Sequence, residues 1–326
     1  MIDTALILAA GLGTRLGPLS ALRAKAALPV AGEAIIRRQV RWLGAAGVRR
    51  VIVNLHHLPD TVTAVLGHGD DLGVAVRYSW EPCVLGSAGG PRLAFELVAD
   101  DRLLLINGDT ITDLDLSALV AEHERLQPLV TMAVTTMRPG YNALLVDEAG
   151  GFAGIRRAGA ATNGEAGGRS GVHFMGAQVV ERRAFTSLDP GTPAETVKEL
   201  YPGLVAAAPA SVRVWHSDAS FFDVGTPAEY LRTAQLIAAG LGQPLDRGPG
   251  AHVDPTADVT GSVLWDSVRI GARASVRNCV IADGVAVPPD AVLARSTVVR
   301  RRDRVLTPGD LALGDAVVVP FDTAPA

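Results

Sequence analysis

Between Ala5 and Asn107, short continuous apolar runs alternate with stretches in which apolar positions recur every three or four residues. The runs Ala5–Ala10, Val51–Leu55, Val74–Tyr78 and Arg102–Asn107 are short enough, and rich enough in Val, Ile and Leu, to predict buried strands. Between the first two, Ile35, Ile36, Val40 and Leu43 lie at helical spacing, and Gly47 supplies a stop. Pro59-Asp60 opens a second helix. Strands that are apolar throughout, separated by helices, imply an α/β fold with a mostly parallel sheet covered on both faces. In such sheets ligands bind beyond the carboxyl ends of the strands, so the segments that follow each strand carry the chemistry.

The pattern changes after a helix predicted over Pro227–Ala239. A Gly/Pro-rich linker runs from Gly240 to Gly250. Beyond it, aliphatic residues recur six apart: Val253 and Val259, Ile270 and Val276, Val287 and Leu293. Small residues follow at Ala257, Ala274, Ala291 and Thr297, and the register slips by one near Trp265 and Val280. A six-residue period of this kind predicts a short parallel β-helix of a few coils. Its ends need capping. Charge in Val298–Arg304 can protect one end, while the linker side near Val253 has little protection, so the tail is expected to dock onto the domain before it or onto another subunit, which favours a homo-oligomer involving the repeat region. The chain thus divides into residues 1–240 and 251–320, as expected for 326 residues at roughly 150 per domain.

Composition narrows the function. The chain has 30 basic and 34 acidic residues, so no basic excess points to a nucleic-acid partner. No apolar run approaches the ~20 residues of a membrane span, and the run at Ala5 has no basic residues before it, so no signal peptide is expected. Two cysteines, Cys83 and Cys279, fit a reducing compartment, and a cytoplasmic protein is expected. Of the 30 basic residues only Lys25 and Lys198 are lysines. A lysine kept against such an arginine bias marks a place for a compact ammonium rather than a planar fork. Lys198 reads as a solvated helix position. Lys25 has a different context.

The first strand runs into Gly11-Leu-Gly-Thr-Arg-Leu-Gly, a turn whose N–H groups can line a phosphate. The dinucleotide fingerprint fails at Leu16, and no Gly-Lys-Ser/Thr of a P-loop is present. Arg15 and Lys25 follow, two cations able to reach one triphosphate. Here the sequence resembles the sugar-1-phosphate nucleotidyltransferases, whose signature Ala-Ala-Gly-x-Gly-Thr-Arg-Leu-x-Pro-Leu-Thr, then Pro-Lys-x-Leu-Leu-Pro-Val, is matched by Ala9–Ser20 and Ala24–Val30. Ser20 stands for the threonine and keeps the hydroxyl. Ala24 stands for the proline before the lysine, which loosens the loop.

Four later segments are similar to the same family in order: Glu81–Gly90, Ile106-Asn-Gly-Asp109, Gly171-Val-His-Phe and Phe222-Asp-Val-Gly-Thr-Pro227. The resemblance implies a Rossmann-like domain followed by a left-handed β-helix. It implies Arg15, Lys25 and Asp109 as catalytic residues, and Ala9, Ala10, Gly11, Gly13, Thr14, Gly86, Ser87 and Ala88 around the nucleotide. It further implies Asn107, Asn142 and Gly171 at the sugar, and Asp109 and Asp223 as ligands of Mg²⁺. Two departures fall in the middle. Tyr141-Asn-Ala replaces Tyr-Gly-x-Val, and Gly154–Ala158 replaces Glu-Lys-Pro, leaving Arg156 or Arg157 to meet the sugar phosphate. The glycine-rich stretch 159–168 reads as a mobile loop.

The reaction so implied joins an NTP to a sugar 1-phosphate and releases pyrophosphate. The phosphate monoester is already anionic at neutral pH, its second pKa being about 6, so no protein nucleophile is needed. The short repeat tail is similar to that of members acting on GTP and mannose 1-phosphate. Uridylyl or thymidylyl transfer to another sugar 1-phosphate, such as glucose or N-acetylmuramate 1-phosphate, and a non-catalytic scaffold on the same fold are the alternatives.

Overall fold

The computed structural model describes residues 2–160 and 169–321. These form two compact units, one of residues 2–11, 38–59 and 66–222, the other of residues 12–37, 60–65 and 223–321. Of the stretch expected to be a mobile loop, residues 161–168 lie outside the described residues.

The first unit is built on a nine-stranded sheet. Thr4–Leu8 lies at its centre, parallel to Arg50–Leu55 on one side and Arg102–Asn107 on the other, and Ala75–Trp80 continues the parallel set. These are the four strands read from the apolar runs. Leu6, Ile52, Leu103 and Leu105 are buried in the core they share. The sheet then changes direction. Ser170–Glu181 pairs antiparallel with Arg102–Asn107, with Ala143–Val146 and, along its other edge, with Val130–Thr136. The antiparallel part was not legible as such, because among the described residues from Val130–Thr136 through Ser170–Glu181 strand follows strand with no helix between them.

Local rules account for the flanking helices. Leu116–Leu126 starts where Asp115 Oδ1 accepts the N–H groups of Ser117 and Ala118, at 2.9 and 3.1 Å. It buries Leu116, Leu119, Val120 and His123, and ends where Gln127 takes a left-handed conformation.

In the second unit, Pro227–Gly240 begins with a capping box. Thr226 Oγ1 accepts from Glu229 N, while Glu229 Oε2 accepts from Thr226 N. The repeat region is a parallel β-helix with three sheets, and partners on successive coils are seventeen residues apart: Val253 with Ile270 and Val287, Val259 with Val276 and Leu293, Val263 with Val280. Two six-residue steps and one of five make the coil, which is the physical origin of the slip near Trp265 and Val280. Corners repeat with the same period. Gly250, Ser267 and Gly284 form one column of left-handed residues, and Gly261, Asn278 and Arg295 form another.

The end protection differs from the expectation. On one face the last coil strand, Ser296–Arg300, is covered by Ala316–Pro320 and then Leu311–Leu313, both antiparallel. At the other end the linker itself pairs with the first coil: Leu264 N donates to Asp246 O and Gly248 N to Leu264 O, at 2.9 and 2.8 Å. The linker side is therefore not bare, because backbone groups rather than charged side chains cap it.

Candidate active site

In the first unit, three strand ends are tied by one buried hydrogen-bond chain. Ala9 N–H donates to Asn54 Oδ1 at 2.7 Å, Asn54 Nδ2 donates to Glu81 Oε1 at 2.6 Å, and Leu85 N–H donates to Glu81 Oε2 at 2.9 Å. Burial raises the Glu81 pKa, partly offset by the N–H of Leu85 and the amide of Asn54. The chain holds the Gly86–Ala94 helix start, with Gly86, Ser87 and Ala88, in register with Ala9 and Ala10. Gly90 is required there, since a Cβ would fall 2.4 Å from Glu81 Oε1 and 2.6 Å from Asn54 Nδ2. Ser87 Oγ is committed to Glu195 Oε2 at 2.7 Å and Ala88 N to Ala194 O at 2.9 Å, so this turn offers shape more than free donors. The roles of Asn54 and Glu81 in this chain were missed. A buried Asn inside Val-Ile-Val-Asn-Leu was the available signal.

Asn107 ends the strand Arg102–Asn107, and Asp109 follows two residues later. Gly108 N donates to Leu8 O at 2.9 Å, and a Cβ on Gly108 would meet that oxygen at 2.4 Å. Gln39 Nε2 donates to the carbonyls of Asn107 and Thr110, at 2.7 and 2.8 Å, and fixes the turn that presents the half-buried Asp109.

Around Gly171 the side chains are aromatic. His173 packs edge-on against Tyr141 and Phe221, with ring centres 4.8 and 5.0 Å apart, and Arg138 lies over Phe221. Neither imidazole nitrogen has a hydrogen-bond partner. Exposed Asn142 accepts from Ala158 N at 2.9 Å. Arg156 ends the strand Phe152–Arg156 half-buried, and Arg157 is exposed.

Burial, with the Arg138 charge nearby, pushes the His173 pKa down to about 4. An unfolded chain takes up that proton near 6.5. Between these values the unfolded state binds more protons, so stability falls as pH drops from 6.5 to about 4. His173→Phe should flatten this acid limb, as read from denaturation midpoints against pH. An unchanged slope would show that another group carries it.

The second unit gathers the cations. Gly13 has a φ of 63°, and a Cβ there would lie 3.8 Å from Lys25 Cβ. Lys25 Nζ lies 3.4 Å from Asp223 Oδ1, the two side chains being 16% and 14% exposed. Arg15 reaches Gly225, where an added Cβ would stand 2.9 Å from Arg15 Nη1 and 2.5 Å from Glu229 Oε2. Lys25, Asp223 and Arg15, separate in sequence, thus converge around the Gly225 turn and the capping box after it. Thr14 is exposed beside them, and Lys198 is exposed elsewhere. Among the described residues no three His, Cys, Asp or Glu side chains cluster as metal ligands.

Comparison with known proteins shows what the chain is similar to. Residues 4–142 match the nucleotidyl transferase family, and residues 248–306 the GlmU-like C-terminal hexapeptide family. The chain is 28% identical to the mannose-1-phosphate guanylyltransferase of Mycobacterium tuberculosis over 89% of its own length and 83% of that protein. It is 38% identical to the N-acetylmuramate alpha-1-phosphate uridylyltransferase of Neisseria meningitidis over 35% of its length and 50% of that protein. The crystal structure of HddC from Yersinia pseudotuberculosis shares the fold, with a TM-score of 0.61 at 20% identity over 72% of this chain and all of that one.

Proposed function

Because the chain belongs to the sugar-1-phosphate nucleotidyltransferases, with a left-handed hexapeptide β-helix after the catalytic fold, we propose that it transfers guanylyl from GTP to mannose 1-phosphate. The observation that carries the catalytic assignment is the meeting of Lys25, Asp223 and Arg15 at the Gly225 turn. The whole-length similarity to a guanylyltransferase, repeat tail included, supports the choice of substrates.

The sugar phosphate oxygen attacks the α-phosphorus, and the new phosphorus–oxygen bond forms as the bond to pyrophosphate breaks. Both reactants are polyanions, so the protein's work is positioning and charge neutralisation. Arg15 and Lys25 supply positive charge to the phosphates. The turn from Ala9 to Thr14 and the segment Gly86–Ala88 hold the nucleotide, and Asn107, Asn142 and Gly171 face the sugar. Asp109 and Asp223 would hold Mg²⁺, an ion suited to hard oxygen ligands that would offset phosphate charge.

Residues 1–240 form the catalytic domain in this reading and residues 251–320 the repeat domain. No helix among the described residues is long and apolar enough to cross a membrane, and the proposed setting is the cytoplasm. A homo-oligomer through the repeat domain is supported by the strand Val292–Ala294, where Val292 is 80% exposed, and is checked by light scattering.

Pyrophosphate release, measured for the common NTPs against a panel of sugar 1-phosphates, tests the substrate assignment. GTP with mannose 1-phosphate should turn over fastest. Faster reaction of UTP with N-acetylmuramate 1-phosphate would favour a second reading, motivated by the higher identity over the shorter match to that uridylyltransferase.

A further inference from the structure

Arg23 stands two residues before Lys25 but is engaged by the β-helix. Its Nη2 donates to Asp283 Oδ1 at 2.6 Å and to Asp266 Oδ2 at 2.8 Å, and its Nε donates to Asp283 Oδ2 at 3.1 Å. Its Cζ lies 4.8 Å from the centre of the fully buried Trp265 ring. Asp266 and Asp283 occupy the same place on successive coils, and Asp266 N–H donates to Asp283 Oδ1 at 3.0 Å, which orients the Asp283 carboxylate toward Arg23. Burial opposes the Arg23 charge, but the two carboxylates outweigh it and raise the pKa.

The other end of the segment is held from the same ring. Trp265 Nε1 donates to Tyr230 Oη at 3.1 Å, and Tyr230 Oη donates to Pro29 O at 2.6 Å. Between these anchors Lys25–Ala27 makes a single tight turn. Ala24, with φ −58° and ψ 145°, already has the backbone of a proline without its ring, and its N–H donates to Thr61 Oγ1 at 3.0 Å.

We propose that Arg23 is a positioning residue for Lys25, through which the β-helix holds the lysine loop in its working conformation. The repeat coils thereby supply the rigidity that a proline at position 24 would have given. A planar, five-donor fork suits this task, since a lysine at 23 cannot grip one carboxylate with two bonds while reaching the next. The inference rests on Lys25 acting at the phosphates.

The test is a double-mutant cycle on the full-length protein, with circular dichroism confirming the fold. Arg23→Ala should lower kcat about tenfold while KM for the sugar phosphate moves less than about twofold, since small displacements of a catalytic group are costly. Asp283→Asn, on the coil and unable to disturb the loop's own sequence, should give a similar kcat loss. The double variant should be no worse than the poorer single, as for groups that act as one unit. A folded Arg23→Ala with kcat within about twofold of the parent, or losses that simply add, would overturn the positioning role. Lys25→Ala measured alongside separates the two ideas. Retained activity there overturns the role of Lys25, whereas an inactive Lys25→Ala beside a full-speed Arg23→Ala overturns only the positioning role.

Discussion

Replacing Lys25 by arginine is expected to cost about 3 kcal/mol of transition-state stabilisation, or ~100-fold in kcat. The change conserves charge in a chain that otherwise uses arginine for 28 of its 30 basic residues. Geometry is what it alters. Lys25 Nζ sits 3.4 Å from Asp223 Oδ1 in a place where both side chains are mostly buried. A guanidinium is wider, directs its donors in a plane, and would pair with Asp223 through two bonds instead of sharing its charge with a phosphate. Steady-state kcat against NTP concentration reads the result. A loss smaller than about threefold would place Lys25 outside the chemistry.

Asp109→Asn should have a still larger effect, at least ~1,000-fold in metal-dependent turnover, because a metal ligand contributes several kcal/mol of charge stabilisation. The fold should be spared. The turn that carries Asp109 is secured by Gly108 N on Leu8 O and by the Gln39 amide on the carbonyls of Asn107 and Thr110, bonds that the variant keeps. Turnover titrated with Mg²⁺ and an unchanged melting temperature together make the measurement. Near-normal activity would remove Asp109 from the metal site.

The parallel strands and the Lys25 turn were legible because each is written in a contiguous segment. Ala5–Ala10 and Arg102–Asn107 are apolar runs whose neighbours can only be other buried strands, and Ala9–Lys25 carries its chemistry within seventeen residues. The groups that hold the site are different. Arg23 is one arginine among 28, and its partners lie 243 and 260 positions away, on coils whose carboxylates look like ordinary turn residues. Asn54 and Glu81 show the same limit at shorter range: single polar residues at the ends of apolar strands acquire meaning only when Ala9 and Leu85 are brought against them. The β-helix was visible as a six-residue period, but the coil length was hidden because one step of each coil is five residues.

That coil length sets how this tail can change in size. Every hydrogen bond between coils, and every left-handed corner from Gly250 through Ser267 to Gly284, is copied at an interval of seventeen. An insertion of one complete coil therefore reproduces each column and merely moves the closing hairpin Leu311–Pro320 along the axis. One residue more or fewer would turn buried aliphatic positions toward water and displace the corners at once. The tail is quantised: it grows or shrinks by whole coils, while Asp266 and Asp283, set in its first turns, keep their hold on Arg23 whatever is added beyond them.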